Sequence, residues 1–314
     1  MEIVATKSIL EQVLNDVEFY NRRSENLGHS KVRFDACPTG FRDLDDSIGG
    51  ISPGFTVIAG RPCNGSDVLF RQLITNAVLE FNNINNFMYK QKALIFSTSL
   101  SAKDFLVRIL CAYGLIPLNT LMKVAMDGDE WMKFTSSFTF FFEENDPFLL
   151  VDNISPLFVE DLDEFILKTI DQYGHLPIIA FDSLQAIRTR KKFDSRYAET
   201  AEVSRTLKEL QVRYNTRIIA VCSVNRNVEQ RADMRPVLSD LRDSGTIEDD
   251  ANLVLFTYIN AFYTGEWLDN NNVSIMEVLV GKNDWGKQDR IQLMYRREEC
   301  NLCDYVALSA NSDE

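Results

Sequence analysis

Gly60-Arg61-Pro62-Cys63-Asn64-Gly65-Ser66-Asp67 stands between an apolar run, Phe55 to Ala59, and a stretch, Leu69 to Phe81, whose apolar residues recur at helical spacing. Strand, glycine-framed loop and helix in that order form the frame of a phosphate-binding loop, with Gly60 and Gly65 as the frame and Arg61 and Pro62 inside it. A working loop reads GxxxxGK followed by Ser or Thr, because the lysine reaches the β/γ-phosphates and the hydroxyl ligates Mg²⁺. Ser66 and Asp67 stand at those two places here. The exchange moves the local charge two units toward negative where a nucleotide would bring its own negative charge. One such like-charge contact at ~4 Å costs roughly 1 to 4 kcal/mol. Taken alone, the stretch reads equally well as a glycine turn in which Ser66 or Asp67 caps the helix that follows.

The rest of the composition bounds the answer. A chain of 314 residues, 45% hydrophobic and 25% charged, has enough apolar material for a full core in one large or two small domains. No run of eighteen apolar residues appears, and the start, MEIVATKSILEQVLNDVEFYNRR, lacks a basic n-region and an apolar h-region. A cytoplasmic protein without membrane contact is the expectation. Six scattered cysteines read as buried thiols. The one close pair, Cys300 and Cys303, supplies half a zinc site beside only two histidines, His29 and His175, so no metal is expected. The net charge of −13 argues against a surface coated for nucleic acid, yet it is unevenly spread. From Gln185 to Arg242, thirteen Lys/Arg face seven Asp/Glu, a net of +6 against −19 elsewhere. That segment is the place for a phosphate-backbone contact or, on the plainer reading, a solvated basic face.

Along the chain, Ile9, Leu10, Val13, Leu14, Val17 and Tyr20 mark an amphipathic N-terminal helix, followed by a polar stretch from Asn21 to Lys31. Residues 1–31 therefore read as helix and linker, and 32–314 as one domain. Strands are expected at Phe55–Gly60, Ala93–Ser97, Phe148–Val151, Pro177–Asp182, Arg217–Cys222, Asn252–Tyr258 and Val273–Lys282. Between them fall helices at Leu69–Phe81, three stretches within Ala102–Glu144, Val159–Tyr173 and Tyr197–Tyr214. This alternation predicts an α/β fold with a mostly parallel sheet flanked by helices, its ligands outside the carboxyl ends of the strands.

From about Val32 to Ala307 the sequence resembles the C-terminal ATPase domain of DnaB-type hexameric replicative DNA helicases, a RecA-like P-loop NTPase fold. The resemblance rests on Pro38-Thr39-Gly40-Phe41-Arg42-Asp43-Leu44-Asp45, on the glycine loop, on Ala93-Leu94-Ile95-Phe96-Ser97, and on Val107-Arg108-Ile109-Leu110-Cys111-Ala112. It continues through Ile179-Ala180-Phe181-Asp182-Ser183-Leu184-Gln185 and Asn227-Val228-Glu229-Gln230-Arg231. Arg235-Pro236-Val237-Leu238-Ser239-Asp240-Leu241-Arg242-Asp243-Ser244-Gly245-Thr246-Ile247-Glu248-Asp249-Asp250-Ala251 is the most specific part. The helix at Ile9–Tyr20 is similar to the family's linker helix, which packs on the adjacent subunit of a ring. No counterpart is expected for the separate N-terminal domain of full-length members.

The resemblance implies a site whose chemistry is largely replaced. The phosphate-binding lysine falls on Ser66 and the Mg²⁺-binding threonine on Asp67. The catalytic glutamate falls on Ser99, and a serine cannot take a proton from water at neutral pH. The phosphate-sensing glutamine falls on Ser223, and the arginine finger, typically worth roughly 10³ to 10⁵ in rate, on Asp284. Asp182, the Walker B aspartate, and Lys282 remain. The family's single-strand loop matches Arg242, Asp243, Ser244 and Gly245, and the first pore-facing loop carries Arg188, Arg190, Lys191, Lys192 and Arg196. Phe193 and Tyr197 are the only aromatic residues beside it, so backbone contacts are expected rather than base stacking.

Three readings follow. The first is a DnaB-like protein without ATP hydrolysis and without a cofactor, acting in replication through single-stranded DNA, self-association or a DnaB-type helicase ring. The second is an active helicase using ATP and Mg²⁺ in which Arg61, Lys282 or another basic group replaces the missing lysine. The third is a structural adaptor that binds neither nucleotide nor DNA.

Overall fold

Phe55-Thr56-Val57-Ile58-Ala59 carries no charge and is rich in β-branched and aromatic side chains, as a strand covered on both faces requires. In the computed structural model it forms β1 (Gly54–Gly60), fully buried within a nine-stranded sheet. The structure describes Leu10, Val13, Leu14 and Val17, then residues 32–33, 35–85, 90–151, 156–241, 245–269 and 272–305. The strands are β1, β2 (Ala93–Ser97), β3 (Phe148–Val151), β4 (Leu157–Phe158), β5 (Ile178–Asp182), β6 (Ile187–Arg188), β7 (Arg217–Ser223), β8 (Leu253–Ile259), β9 (Val273–Asn283), β10 (Arg290–Arg296) and β11 (Asn301–Asp304). The α-helices are α1 (Arg42–Ile48), α2 (Ser66–Asn85), α3 (Ala102–Gly114), α4 (Leu118–Met122), α5 (Gly128–Thr139), α6 (Val159–Tyr173), α7 (Arg196–Tyr214), α8 (Thr246–Asp250) and α9 (Ala261–Thr264).

The sheet order is β11-β10-β9-β8-β1-β7-β5-β2-β3, parallel from β8 to β3 and antiparallel from β8 to β11. β4 and β6 make a separate two-stranded sheet. Alternate residues of each parallel strand feed different layers. Ile58, Ile95, Ala180 and Ile219 pack with Leu69, Phe70 and Leu73 of α2 and Phe105 of α3. Val57, Phe96, Phe181 and Ala220 pack with Leu162 and Ile166 of α6 and Leu207 of α7. The expected mostly parallel, helix-covered sheet is thus observed. The sequence reading missed the β10–β11 hairpin, although Arg290-Ile291-Gln292-Leu293 alternates between exposed and buried as a half-covered strand does. Of the expected N-terminal helix, Leu10, Val13, Leu14 and Val17 are helical and exposed; Ile9 and Tyr20 lie outside the described residues.

The Pro38-to-Asp45 motif has a structural explanation. The Thr39 amide donates to Asp45 Oδ1 at 2.8 Å, and the Phe41 amide donates to Thr39 Oγ1 at 3.1 Å. Asn76 Nδ2 of α2 donates to the Thr39 carbonyl at 2.9 Å, and Gly40, at φ +79°, passes so close that a Cβ there would meet Asn76 Nδ2 at 2.3 Å. The motif therefore clamps the start of the domain onto α2. Burial pushes the Asp45 carboxyl up to about 6, against hydrogen bonds that lower it. A carboxyl raised in the folded state is fully stabilising below its unfolded value near 3.8, and that stability is lost as pH rises toward 6. Asp45→Asn is expected to flatten this pH dependence, which amounts to on the order of 3 kcal/mol in the wild type. Urea unfolding at stepped pH between about 4 and 6.5 measures it, and an unchanged slope in the variant would refute the assignment.

Candidate functional site

The glycine loop leaves β1 at the carboxyl ends of the parallel strands. A Cβ on Gly60 would lie 2.4 Å from Thr257 Oγ1 of β8, so only glycine permits this close approach. Gly65 has φ +78° and Cys63 φ +69°, which turn the chain back toward α2. Asn64 pins the loop from below: its Oδ1 accepts from the Ile259 amide at 2.9 Å, and its Nδ2 donates to the Tyr263 hydroxyl at 3.3 Å. Because α2 starts at Ser66, the cap position falls on Gly65, and neither Ser66 nor Asp67 serves as the N-cap that the sequence allowed. Asp67 lies in the first turn, where the helix dipole favours a carboxylate. Its Oδ2 accepts from Arg71 Nη2 at 2.9 Å, one turn deeper on α2, where Arg71 is 4% exposed. Arg61 is taken up elsewhere, its Nε donating to Glu229 Oε1 at 2.7 Å.

The neighbouring strand ends complete the cluster. Asp182 closes β5 opposite Ser97 of β2 and is buried. Burial raises its carboxyl above the ordinary range, while a hydrogen bond from Ser99 and the nearby Arg71 guanidinium favour the charged form. Ser99 Oγ donates to Asp182 Oδ1 at 3.1 Å, so the residue on which the resemblance sets the general base is a hydrogen-bond donor to the carboxylate beside it. Ser223 pairs with Gly60 across β1 and β7, and its amide donates to Gln185 Oε1 at 3.3 Å. Gly60, Gly65, Ser66, Asp67, Ser99, Asp182 and Ser223 thus converge at the carboxyl edge of the sheet.

Lys282 and Asp284 do not join them within the chain. Lys282 lies at the end of antiparallel β9, opposite Val254 near the start of β8, and Asp284 follows just beyond the strand. Lys282 Nζ donates to the Glu248 carbonyl of α8 at 2.8 Å and lies 3.6 Å from Asp284. Asp284 accepts from Asn252 Nδ2 at 2.9 Å.

The basic segment forms a separate surface beside the start of α7. Arg190 makes a two-pronged bond to Asp161 at 2.5 and 2.7 Å and covers the Phe158 ring at 4.3 Å. Arg188 and Arg196 share Glu199 at 3.3 and 2.5 Å, Lys191 pairs with Glu202, and Lys192 is exposed. The Gly245 amide donates to the Tyr197 hydroxyl at 3.1 Å, which brings the end of one predicted DNA loop against the other. Arg242, Asp243 and Ser244 lie outside the described residues.

The family model for the DnaB-like helicase C-terminal domain matches residues 36–303. The chain belongs to that family. A replicative DNA helicase DnaB from Pasteurella multocida is 31% identical over 291 residues, 92% of this chain, and the chain spans 58% of that relative's length. Among solved structures, the ATPase domain of G40P covers 97% of this chain and all of its own, at TM-score 0.81 and 24% identity. A DnaB-like replicative helicase solved for its interactions with primase covers 96% of this chain, with 69% of its own length matched, at TM-score 0.79 and 24% identity. These likenesses show the RecA-like fold.

Within this DnaB-family domain the nucleotide and metal of the family meet a poor fit. Asp67, on which the resemblance sets the metal-binding hydroxyl, is a carboxylate already engaged by a buried arginine, and Ser66, on which it sets the phosphate-binding lysine, carries no charge. No group of three or more His, Cys, Asp or Glu able to hold a metal occurs among the described residues. The sequence reading missed Arg71, although Asp67 and Arg71 stand at i, i+4 spacing on one helix face, the arrangement in which opposite charges pair. Lys282, in turn, has a structural task in the single chain. Lys282→Met is expected to cost about 1 to 2 kcal/mol in urea unfolding through the lost cap on the α8 carbonyls. Unaltered stability would mean that its function lies outside the fold of one chain.

Proposed function

We propose that this domain has given up ATP hydrolysis and acts in DNA replication as a DNA-binding or ring-partner member of the DnaB family. One observation carries the reading: Asp67 and its ion pair with buried Arg71 occupy the mouth of the glycine loop, while Ser99, in the general-base position, donates a hydrogen bond to Asp182. A triphosphate arriving at the loop would meet a carboxylate in place of an ammonium, and water would find no base. Arg61 and Lys282, two cations that a displaced active site could use, are held by Glu229 and by the carbonyl of Glu248. Wild-type protein is therefore expected to show neither Mg²⁺-dependent ATP turnover nor tight binding of a fluorescent ATP analogue. A Ser66→Lys, Asp67→Thr double variant is expected to gain at least roughly tenfold in affinity, about 1.4 kcal/mol. Turnover by the wild type that Asp182→Ala abolishes would restore the helicase reading.

The partner side rests on charge and exposed apolar surface. Exposed ion pairs such as Arg190–Asp161 and Lys191–Glu202 contribute only ~0 to 1 kcal/mol, so phosphates can replace the carboxylates at little cost. Gly245 beside Tyr197 adds the neighbouring loop to that surface, and single-stranded DNA is the proposed ligand. The exposed stripe of Leu10, Val13, Leu14 and Val17 fits a helix whose partner is another chain, a second copy or a DnaB-type ring in the cytoplasm. A groove of about 390 Å³ lined by Leu106, Leu110, Phe138 and Phe142 is a suitable acceptor for such a stripe. Replacing Lys191 and Lys192 together by Glu is expected to weaken single-strand binding about tenfold and to lower the slope of log K against log salt by about 1.4. Affinity indifferent to this change would favour an adaptor that does not bind DNA.

A further inference from the structure

A cavity of about 310 Å³ lies between α2, α3 and the turn that joins β10 to β11. Hydrogen bonds fix its walls. Gln72 of α2 clasps β11 through Leu302, its Nε2 donating to the carbonyl at 2.5 Å and its Oε1 accepting from the amide at 2.7 Å. Asn301 Nδ2 ties the same strand to α3 by donating to the Ala112 carbonyl at 3.0 Å. The Thr75 hydroxyl and Asn76 Nδ2, also in the lining, donate to the carbonyls of Arg71 and Thr39. The neutral polar groups are therefore largely engaged within the fold.

The cations are not. Arg71 and Arg108 both line the cavity, and among the described residues no carboxylate does. The Arg71 side chain is 5% exposed and donates from Nη2 to Asp67; among the described residues its Nε and Nη1 have no hydrogen-bond partner. Half-buried Arg108 donates from Nη1 to the Asp104 carbonyl at 3.2 Å, its one side-chain hydrogen bond among the described residues. Burial raises the Cys300 thiol in the same lining, and both guanidiniums act against that rise, as neighbouring cations do. Ile109, Ala112 and Leu115 give the cavity an apolar wall. Two permanently charged forks beside such a wall suit an anion with an apolar body.

We propose that this cavity binds a phosphate monoester with a compact apolar body, the phosphate on the free nitrogens of Arg71 and Arg108 and the body on Ile109, Ala112 and Leu115. A guanidinium fork matches phosphate oxygens, and a group near two negative charges matches two cations where a carboxylate matches one. A nucleotide fits less well, because its ribose would set hydroxyls against the apolar wall. No residue from Gly60 to Asp67 lines the cavity, so the site is separate from the glycine loop and does not depend on whether ATP is hydrolysed.

Phenyl phosphate without Mg²⁺, titrated into the full chain by calorimetry, is the probe. It is expected to bind at least roughly tenfold more tightly than inorganic phosphate or benzoate, and at least roughly tenfold more weakly to Arg108→Gln. Ala112→Leu, which fills the wall and leaves the charge alone, should remove its advantage over inorganic phosphate. Position is read by iodoacetamide labelling, peptide by peptide. Bound phenyl phosphate should slow labelling of Cys300 and Cys303, which line the cavity, and leave exposed Cys63 of the glycine loop unchanged. Protection of Cys63 instead would overturn the proposal, as would benzoate or AMP binding as tightly as phenyl phosphate, an affinity unchanged in Arg108→Gln, or no saturable binding at all. If Ala112→Leu fails to fold, Arg108→Gln and the labelling pattern decide.

Discussion

The Asp67–Arg71 ion pair is the interaction around which the carboxyl edge of the sheet is arranged. A carboxylate at the head of a helix is favoured by the free N–H groups of the first turn, and here it also compensates a guanidinium that is nearly out of contact with water. Removing Asp67 would leave a guanidinium charged and poorly solvated, whereas Asp67, half exposed, would keep water around it if Arg71 were lost. The pair thus sets both the local structure and the charge of the loop mouth. It fixes negative charge at the loop mouth and positive charge one turn below, the reverse of the order that a triphosphate needs.

The frame beneath that pair is nonetheless the ordinary one for the fold. Gly60 keeps its close approach to Thr257, Gly65 its left-handed conformation, and Asn64 ties the loop to β8 through the Ile259 amide. Backbone geometry of this kind is held by the packing of β1 between β7 and β8, and that packing does not depend on which side chains line the mouth. The fold therefore does not depend on which charged groups line the loop. The buried apolar layers on both faces of the sheet are independent of them.

The basic surface follows another logic. Its cations are positioned by Asp161, Glu199 and Glu202 on α6 and α7, and these are exposed or half-buried pairs whose strength is modest. Such a surface is preorganised in space but exchangeable in partner. The bond from Gly245 to Tyr197 joins it to the segment that ends α8's approach, so two stretches more than forty residues apart in the chain share one face.

Strand and helix placement was legible in the sequence because β1, β2, β5, β7 and β8 are continuous apolar runs and the intervening helices keep a 3.6-residue period. The β10–β11 hairpin was less so, since its alternating pattern is short and its partner strand β9 is distant in kind from the parallel core. The glycine loop, the side chains of Ser66, Asp67 and Ser99, and the positive segment from Gln185 to Arg242 could be read directly, because residue identity alone sets charge and proton-transfer capacity. Which charges meet is a different matter. That Arg71 faces Asp67 rather than solvent, that Lys282 serves α8, and that Ser99 donates to Asp182 depend on the crossing of α2 over the sheet and on strand register. Those are set by packing among residues far apart in the chain, and only the tertiary structure decides them.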